Sequence, residues 1–364
     1  MSAAADTGRP KIDRQFAHRV AVLARGLALA YLLALVVIYA ALRLVGERWW
    51  LTTVALYLPQ IGWALPLPFV TVALLLTHSF RFLLTQLAAL LIILFPLMGL
   101  CLSGSKALRP GVPHFRVLTI NIGLGGNGTD EILDRVRATD PDLVVLEEVA
   151  PDNVEPLRAG LADYASFQAL DQFVVASKFP LDEAYRPPEV AVDGRLHSRH
   201  YVRFRLTTPA GPVRLFAVHP LSPHDAFDSI RGEGLRGEIA TGRVFQNDTR
   251  EAMVANTNQR MMHVRTLAED AACWSEPVLI AGDTNLPGPS WARARWLGGY
   301  QDAFSAAGLG FGYTYPAQKM AWMRIDRILV SAHFRVLAAA TVPPRISNHL
   351  PVMADLELPA LAGR

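Results

Sequence analysis

Several short apolar runs in the second half of the chain end on, or contain, a side chain that could do chemistry. Asn121 closes the run that begins at Val117, and Glu147 and Glu148 follow Leu143-Val144-Val145-Leu146. His219 follows Leu215-Phe216-Ala217-Val218, and Asp283 and Asn285 follow Leu279-Ile280-Ala281-Gly282. Asp326 sits inside Ile325 to Val330, and Ser347-Asn348-His349 precedes Leu350-Pro351-Val352. Taken singly each has an ordinary reading, since Asn or Asp after a strand is a common turn residue and a lone His is more often core or surface. Strand ends that offer Asn, Glu, His, Asp/Asn, Asp and His in one domain exceed what turn capping needs. Carboxylate and amide oxygens together suit a hard divalent cation such as Mg²⁺, and imidazoles suit proton transfer or donation to an anion.

The elements that must carry these residues are short and β-rich. The pattern predicts strands at Arg116 to Ile122, Leu143 to Leu146, Gln172 to Ser177, Tyr201 to Leu206, Val213 to His219, Val278 to Ala281, Ile325 to Ser331, Phe334 to Ala340 and Pro351 to Leu356. Helical periodicity predicts Asp130 to Ala138, Val154 to Leu161 and Asn256 to Ala272. Many strands with some helices and no regular βαβ alternation argue for packed sheets flanked by helices, an α+β class. A Gly- and charge-rich stretch, His224 to Arg250, holds Arg231, Arg236, Arg243 and Arg250. Its default reading is a solvated loop, and its functional reading is a lid that grips phosphate or headgroups; His224 could join the site, though the sequence does not fix its distance.

Five segments occur in a recognisable order. Val117-Leu118-Thr119-Ile120-Asn121, Pro141 to Val149 (with Glu147-Glu148), Gly282-Asp283-Thr284-Asn285, Arg324-Ile325-Asp326-Arg327-Ile328 and Ser347-Asn348-His349-Leu350-Pro351-Val352 resemble the ordered signatures of the endonuclease/exonuclease/phosphatase superfamily. Val174 to Leu181 is similar to a secondary signature of the same family. The resemblance implies a four-layer sandwich of two β-sheets flanked by helices, and divalent-metal hydrolysis of a phosphate ester. It implies Glu148 as the carboxylate that anchors Mg²⁺ or Mn²⁺, with Asn121 as an oxygen neighbour. Asp283 then positions or deprotonates the attacking water, Asn285 holds the water or the phosphate, and His219 donates to a phosphate oxygen. His349 binds phosphate or acts as acid/base, with Asp326 fixing its tautomer; the base is left open between Asp283 and His349. Two positions depart from the family: Glu147 stands where Gln is usual, and Asn348 stands where an Asp contributing to the metal region is usual. The second departure implies a single-metal or weaker site.

Residues 1–105 are a different polymer, with eight Lys/Arg against three Asp/Glu, whereas residues 106–364 carry 27 against 29. Uncharged runs at Gly26 to Leu42, Trp49 to Thr77 and Phe82 to Ser105 are each near or above the roughly 20 residues that cross about 30 Å of hydrocarbon. We read three transmembrane helices at about 22–42, 52–77 and 82–103, a linker at 106–113 and the catalytic domain at 114–364. Pro59, Pro66 and Pro68 predict a kinked or partly interfacial second segment. A cleaved signal peptide is the alternative for the first run, disfavoured because two more apolar runs follow at once. Arg9, Lys11, Arg14, Arg19, Arg25 and Arg81 on one side outnumber Arg43, Arg48, Lys106 and Arg109 on the other. That bias puts the N-terminus in the cytoplasm and, after three crossings, the large domain outside it. Cys101 and Cys273 lie far apart in different regions, which excludes a disulfide scaffold.

The expected function is a membrane-anchored phosphoesterase acting on a phosphate ester of lipid or small-molecule type. Nuclease action on DNA or RNA is the alternative, disfavoured by a slightly acidic catalytic domain without a Lys/Arg tract. A catalytically silent membrane receptor or assembly module is the third reading, with Asn348 as its only support. The bilayer and the phosphoester substrate are the expected partners, and no protein partner is inferable.

Overall fold

The computed structural model of the protein describes residues 14–125, 128–192, 195–197, 200–223, 247–317 and 320–358. Arg9, Lys11, His224, Arg231, Arg236 and Arg243, used above for orientation and for a lid, lie outside the described residues.

The N-terminal part is helical: α1 (Arg14–Leu44), α2 (Trp50–Tyr57), α3 (Pro66–Leu76) and α4 (Leu83–Ile92). Arg14–Leu44 and Phe80–Leu97 are each long and apolar enough to cross a bilayer, and α2 with Gln60–Leu76 makes a third candidate only if the two are counted together across a 92° bend. The bend has a local cause. Pro59 disfavours helical backbone at the residue before it, and Leu58 is extended at φ −75° and ψ 152°. Gln60 then satisfies carbonyls freed by the break, its Nε2 donating to Ala55 O and to Leu58 O, both at 2.9 Å. Pro66 instead opens α3, where a missing N–H costs nothing. Arg25 Nε donates to Ser79 Oγ (3.0 Å) and the Tyr31 hydroxyl to Trp63 O (2.7 Å), while Leu42 packs in one cluster with Leu56 and Leu97. Gln60–Leu76 therefore runs antiparallel to α1, and Phe80–Leu97 returns parallel to it. The outward faces expose Leu27, Leu33, Val37, Phe69, Leu76, Leu84 and Leu91, an apolar surface unsuited to water.

The end of the third uncharged run is not helical. Cys101–Leu102 is a short strand, β1, paired antiparallel with residues 309–310 of the following domain. Residues 104–109 are likewise laid along that domain: Gly104 N donates to Gly308 O (3.1 Å), Lys106 N to Leu337 O (2.7 Å), and Arg109 Nε to Glu357 Oε2 (2.7 Å).

The domain continues through β2 (His114–Asn121), α5 (Thr129–Thr139), β3 (Leu143–Glu147), α6 (Pro151–Gly160), β4 (Ser166–Leu170), β5 (Phe173–Ser177), β6 (Leu181–Tyr185), β7 (Val190–Val192) and β8 (Arg195–His197). It goes on through β9 (Tyr201–Thr208), β10 (Gly211–Val218), α7 (Asn247–Ala272), β11 (Val278–Asp283), α8 (Trp291–Trp296), β12 (Gln301–Asp302), α9 (Ala303–Ala307) and β13 (Leu309–Gly310). The last strands are β14 (Asp326–Val330), β15 (Arg335–Thr341) and β16 (Val352–Glu357). One six-stranded sheet has the order β15-β16-β2-β3-β5-β4, and the other β12-β14-β11-β10-β9-β6. Each predicted strand is present. Edge strands β4 and β6 lacked a legible signal because they are only half-buried or exposed, so no apolar run marks them. The helix predicted from Asn256 begins at Asn247.

The strand period of two explains both the layers and the site. On the first sheet Phe115, Val117, Leu143, Val145, Phe173 and Val175 face the second sheet, whose Val213, Leu215, Ala217, Leu279, Ala281, Ile328 and Val330 meet them in one core. The alternate residues Leu118, Ile120, Val144, Leu146, Val174 and Ala176 pack under α5 and α6. Phe216, Val218, Ile280 and Leu329 pack under α7 and α8. The result is four layers, helices on sheet on sheet on helices, as the sequence implied.

At one point the two inner strands of the second sheet approach with no room for a side chain. Gly282 has φ +141°, and a Cβ there would fall 2.1 Å from the Val218 carbonyl oxygen of β10. The neighbour is strand backbone and cannot rotate away. Gly282→Ala should therefore lower the stability of the domain by about 2 to 4 kcal/mol, measurable as a fall in its unfolding midpoint in denaturant; an unchanged midpoint would contradict the close approach.

Candidate active site

Continuing the inward-facing series of each strand by one step predicts what fills the gap between the sheets at one end. After Val117 and Thr119 comes Asn121; after Leu143 and Val145 comes Glu147; after Leu215 and Ala217 comes His219; after Leu279 and Ala281 comes Asp283. β14 runs antiparallel to β11, so its inward series Val330 and Ile328 ends at Asp326, which pairs in register with Asp283. Asn121 pairs with Glu147 in the parallel β2–β3 ladder. Asn121, Glu147, His219, Asp283, Asp326 and His349 are all buried. Glu148 and Asn285, the residues just after their strands, adopt φ of +52° and +49° and turn the chain sharply there.

The side chains converge on two carboxylates. Asn121 Nδ2 donates to Glu148 Oε1 (3.0 Å) and, at the long limit, to Asp283 Oδ2 (3.4 Å). His219 Nε2 lies 3.1 Å from Glu148 Oε1 and 3.8 Å from Asp283 Oδ2. His349 Nε2 approaches Asp283 Oδ2 to 3.9 Å, while its Nδ1 is held by Asp326 Oδ2 at 2.9 Å. Asn285 N donates to Asp283 Oδ1 (2.8 Å), and its side-chain amide donates to Pro220 O (2.9 Å). Ligand atoms of Asp283, Asp326 and His349 lie within 4.8 Å of one another, close enough to hold a metal ion. Asn121 presents its NH₂ to the carboxylates, its oxygen accepting from Gly123 N (3.0 Å). Asn348 is exposed, and its backbone oxygen accepts from Ala317 N (2.7 Å).

Burial and crowding of like charge set the protonation of these groups. Burial raises the Asp283 carboxyl, the charge of Asp326 raises it further, and it reaches about 6. Burial would raise Glu148 too, yet the hydrogen bond and charge of His219 hold it down to about 2. For His349 burial opposes the charged ring, but the Asp326 carboxylate overcomes it and lifts the imidazole to about 9. His219 is raised in the same sense, against its burial, by Glu148 and Asp283.

Three positioning contacts were not legible as such in the sequence. Gln172 Oε1 accepts from His219 Nδ1 (2.8 Å) and orients that ring. Its signal was present, a polar residue at the mouth of a buried strand opposite Glu148, of the same kind that marked Asp326. Ser347 Oγ accepts from His349 N (3.0 Å) and donates to Asn121 O, tying the last motif to the first. Tyr315 lays its ring 4.8 Å from that of His349, and nothing local in its sequence marks it.

Glu147 is fully buried beneath these groups. Its Oε1 accepts from Thr119 Oγ1, and its Oε2 has no hydrogen-bond partner among the described residues. Burial first, and then Asp326, Asp283 and Glu148, push its pKa well above the carboxylate range. A carboxyl raised on folding stabilises the fold below its unfolded pKa of about 4.3 and loses that contribution as pH rises towards its folded value. Glu147→Gln removes this loss. In chelator, the stability of the variant relative to the parent should therefore improve from pH 5 to pH 8, with a limiting slope of about 1.4 kcal/mol per pH unit, read by thermal unfolding of the full chain in detergent. A difference that does not vary with pH would mean that Glu147 stays ionised in the fold.

No curated protein sequence matches the chain. Among solved structures it is similar to an endonuclease/exonuclease/phosphatase from Beutenbergia cavernae, at 20% identity and a TM-score of 0.49 over 69% of this chain and 73% of that one. It is also similar to an endonuclease/exonuclease/phosphatase family protein from Bacteroides thetaiotaomicron, at 13% identity and 0.49 over 68% and 99%. A humanized D. rerio TDP2 matches at 16% identity and 0.48 over 67% and 98%. The model of the Endonuclease/Exonuclease/phosphatase family matches residues 118–349, a span that runs from the strand carrying Asn121 to His349 itself. The chain belongs to that family, whose members are hydrolases acting on phosphoester bonds.

Proposed function

We propose that the protein is a membrane-anchored, divalent-metal-dependent phosphoesterase that hydrolyses a phosphate ester of lipid or small-molecule type by in-line attack of water. The observation that carries the reading is the convergence of Glu148, Asp283, His219 and the Asp326–His349 pair at one end of the two sheets. The donor chemistry fits a hard cation. Glu148 and Asp283 offer carboxylate oxygens towards the same Asn121 amide and His219 ring, and among the described residues no Lys or Arg pairs with either. Glu148 would hold Mg²⁺ or Mn²⁺, with Asn121 contributing if its amide turns over. Asn348, neutral and exposed, adds no negative charge, which favours a single ion, less strongly held than with a carboxylate there. When bound, the ion would draw charge from the phosphoryl oxygens.

The chain's own groups divide the remaining work. Asp283 at about 6 is largely ionised at neutral pH yet basic enough to take a proton from water, and the backbone N–H of Asn285 aims its carboxylate. His349 at about 9 is an imidazolium under the same conditions, which makes it a donor to a phosphate oxygen rather than the base, with Asp326 fixing its orientation. His219 donates through Nε2 in the same way, with Gln172 holding the far side of its ring. This division favours Asp283 over His349 as the base.

For the anchor we propose three crossings, α1, the bent pair of α2 and Gln60–Leu76 taken as one broken span, and Phe80–Leu97. The up-down-up packing and the apolar outer faces support it. With the Lys/Arg bias of the loops, the N-terminus is cytoplasmic and the catalytic domain lies on the opposite side. The slightly acidic domain and its attachment at the bilayer favour a lipid or small phosphoester over nucleic acid.

Two experiments test this reading. Hydrolysis of bis(p-nitrophenyl) phosphate, p-nitrophenyl phosphate, DNA and phospholipid vesicles is assayed against added Mg²⁺ or Mn²⁺. Glu148→Ala should lose the metal response, and His349→Ala should fall by about 10² to 10⁴ in rate; full activity of Glu148→Ala in chelator would sink the metal assignment. Separately, a reporter fused after Arg364 should read as exported, and a cytoplasmic signal would mean that the bent segment from α2 to Leu76 does not cross.

A further inference from the structure

The proposed site contains Asn285 and His349, and the inference here rests on that reading. The chain between α1 and the Gln60–Leu76 helix does not hang free below the catalytic domain. It is built into the loop that follows Asp283. Arg43 Nη1 donates to Ser290 O at 3.2 Å. Gly46, at φ +50°, lies so close to α8 that a Cβ there would fall 2.6 Å from Trp291 Cβ. Glu47 is 3% exposed; it accepts from Ser290 Oγ and from Ala292 N (3.1 Å), occupying the amide end of α8.

The last residue of α2 reaches furthest. The Tyr57 hydroxyl donates to Asn285 O at 2.8 Å. Asn285 sits in the left-handed region at φ +49°, its backbone N–H and side-chain NH₂ are engaged by Asp283 and Pro220, and the Tyr57 hydroxyl supplies the hold on its carbonyl. On its other side Tyr57 O accepts from Trp322 Nε1 (3.3 Å). Trp322 N donates to Tyr315 O (3.1 Å), and Tyr315 carries the ring that packs on His349 at 4.8 Å. Arg260, itself fully buried, lies over the Tyr57 ring at 5.3 Å. One residue of the anchor thus touches both walls of the proposed site.

We propose that Tyr57 is a positioning residue of the active site, and that the membrane anchor completes the site as well as tethering it. Tyr57 sets the backbone of Asn285 directly and the ring of His349 through Trp322 and Tyr315. Catalytic groups held only by loops lose rate steeply with small displacements, and a hydrogen bond from a second, rigid element removes that freedom.

The test uses the full chain in lipid nanodiscs with bis(p-nitrophenyl) phosphate and Mg²⁺ as the probe. Tyr57→Phe removes one hydroxyl and keeps the ring under Arg260. Tyr31→Phe is the matched control, because its hydroxyl bonds Trp63 O within the anchor. Tyr57→Phe should lower kcat about tenfold with KM within about twofold, and Tyr31→Phe should leave both unchanged. In chelator, amide hydrogen exchange in residues 284–292 should be faster in Tyr57→Phe and unaltered in Tyr31→Phe, a readout that does not need turnover. Parental kcat and exchange in Tyr57→Phe would overturn the proposal, as would equal losses in the two variants, which would mark a general loosening of the anchor. His349→Ala is run in parallel: if it keeps normal turnover, the assignment of the site itself has failed, whatever Tyr57→Phe does.

Discussion

The constraint on which the rest of this structure depends is the stacking of two sheets whose strands end together. Apolar residues of alternate parity fill the gap between them for most of its length, from Phe115 and Leu143 at one end to Ala281 and Ile328 near the other. Where the strands finish, the same parity goes on to Asn121, Glu147, His219, Asp283 and Asp326, so polar groups from both sheets face one another with no side chain between them. A shift of one residue in any of these strands would turn its functional group out towards the flanking helices. Close packing at Gly282 against Val218 O fixes the β10–β11 register at the point where that shift would matter most.

Concentrating carboxylates there is electrostatically costly, and the manner in which the cost is met defines the chemistry. Glu147, Glu148, Asp283 and Asp326 share a buried region with two imidazoles and, among the described residues, no paired guanidinium or ammonium group. Mutual repulsion and burial lift Glu147 and Asp283, while each imidazole gains charge from its carboxylate neighbour. Environment thus separates like groups, because Glu148 is held down to about 2 beside His219 while Asp283, buried against Asp326, rises to about 6.

Much of this was legible in the sequence, and what was not has physical reasons. The buried central strands announced themselves as short apolar runs, and their polar ends marked Asn121, Glu148, His219, Asp283 and Asp326 one by one. Edge strands β4 and β6 did not, because half-exposed strands need no apolar run. Gln172 carried a signal that could have been used. Tyr315 and Tyr57 carried none, since their importance lies in what distant segments bring beside them. The uncharged run ending at Ser105 was legible as apolar, but composition cannot tell a lipid-facing helix from a strand laid on a neighbouring domain, and Cys101–Leu102 is the latter.

The seam between anchor and domain follows from the same logic of satisfied polar groups. A helix leaving a bilayer must settle its terminal carbonyls, and a loop at that depth must settle its amides. Here Gln60 serves the break after α2, Thr52 Oγ1 donates to Trp49 O at 2.9 Å, and Glu47 serves the first turn of α8 in the other domain. Residues 101–109 close the seam from the opposite side by pairing with β13 and by the Arg109–Glu357 ion pair. Two separate stretches of the anchor therefore grip the domain at different places. A body held at one point can swing, whereas one held at two points with backbone pairing cannot swing freely, so the distance between the apolar helices and the mouth of the site is a property of the fold rather than of linker length. With the apolar helices in a bilayer, as proposed, substrate would meet the site at a set height above it.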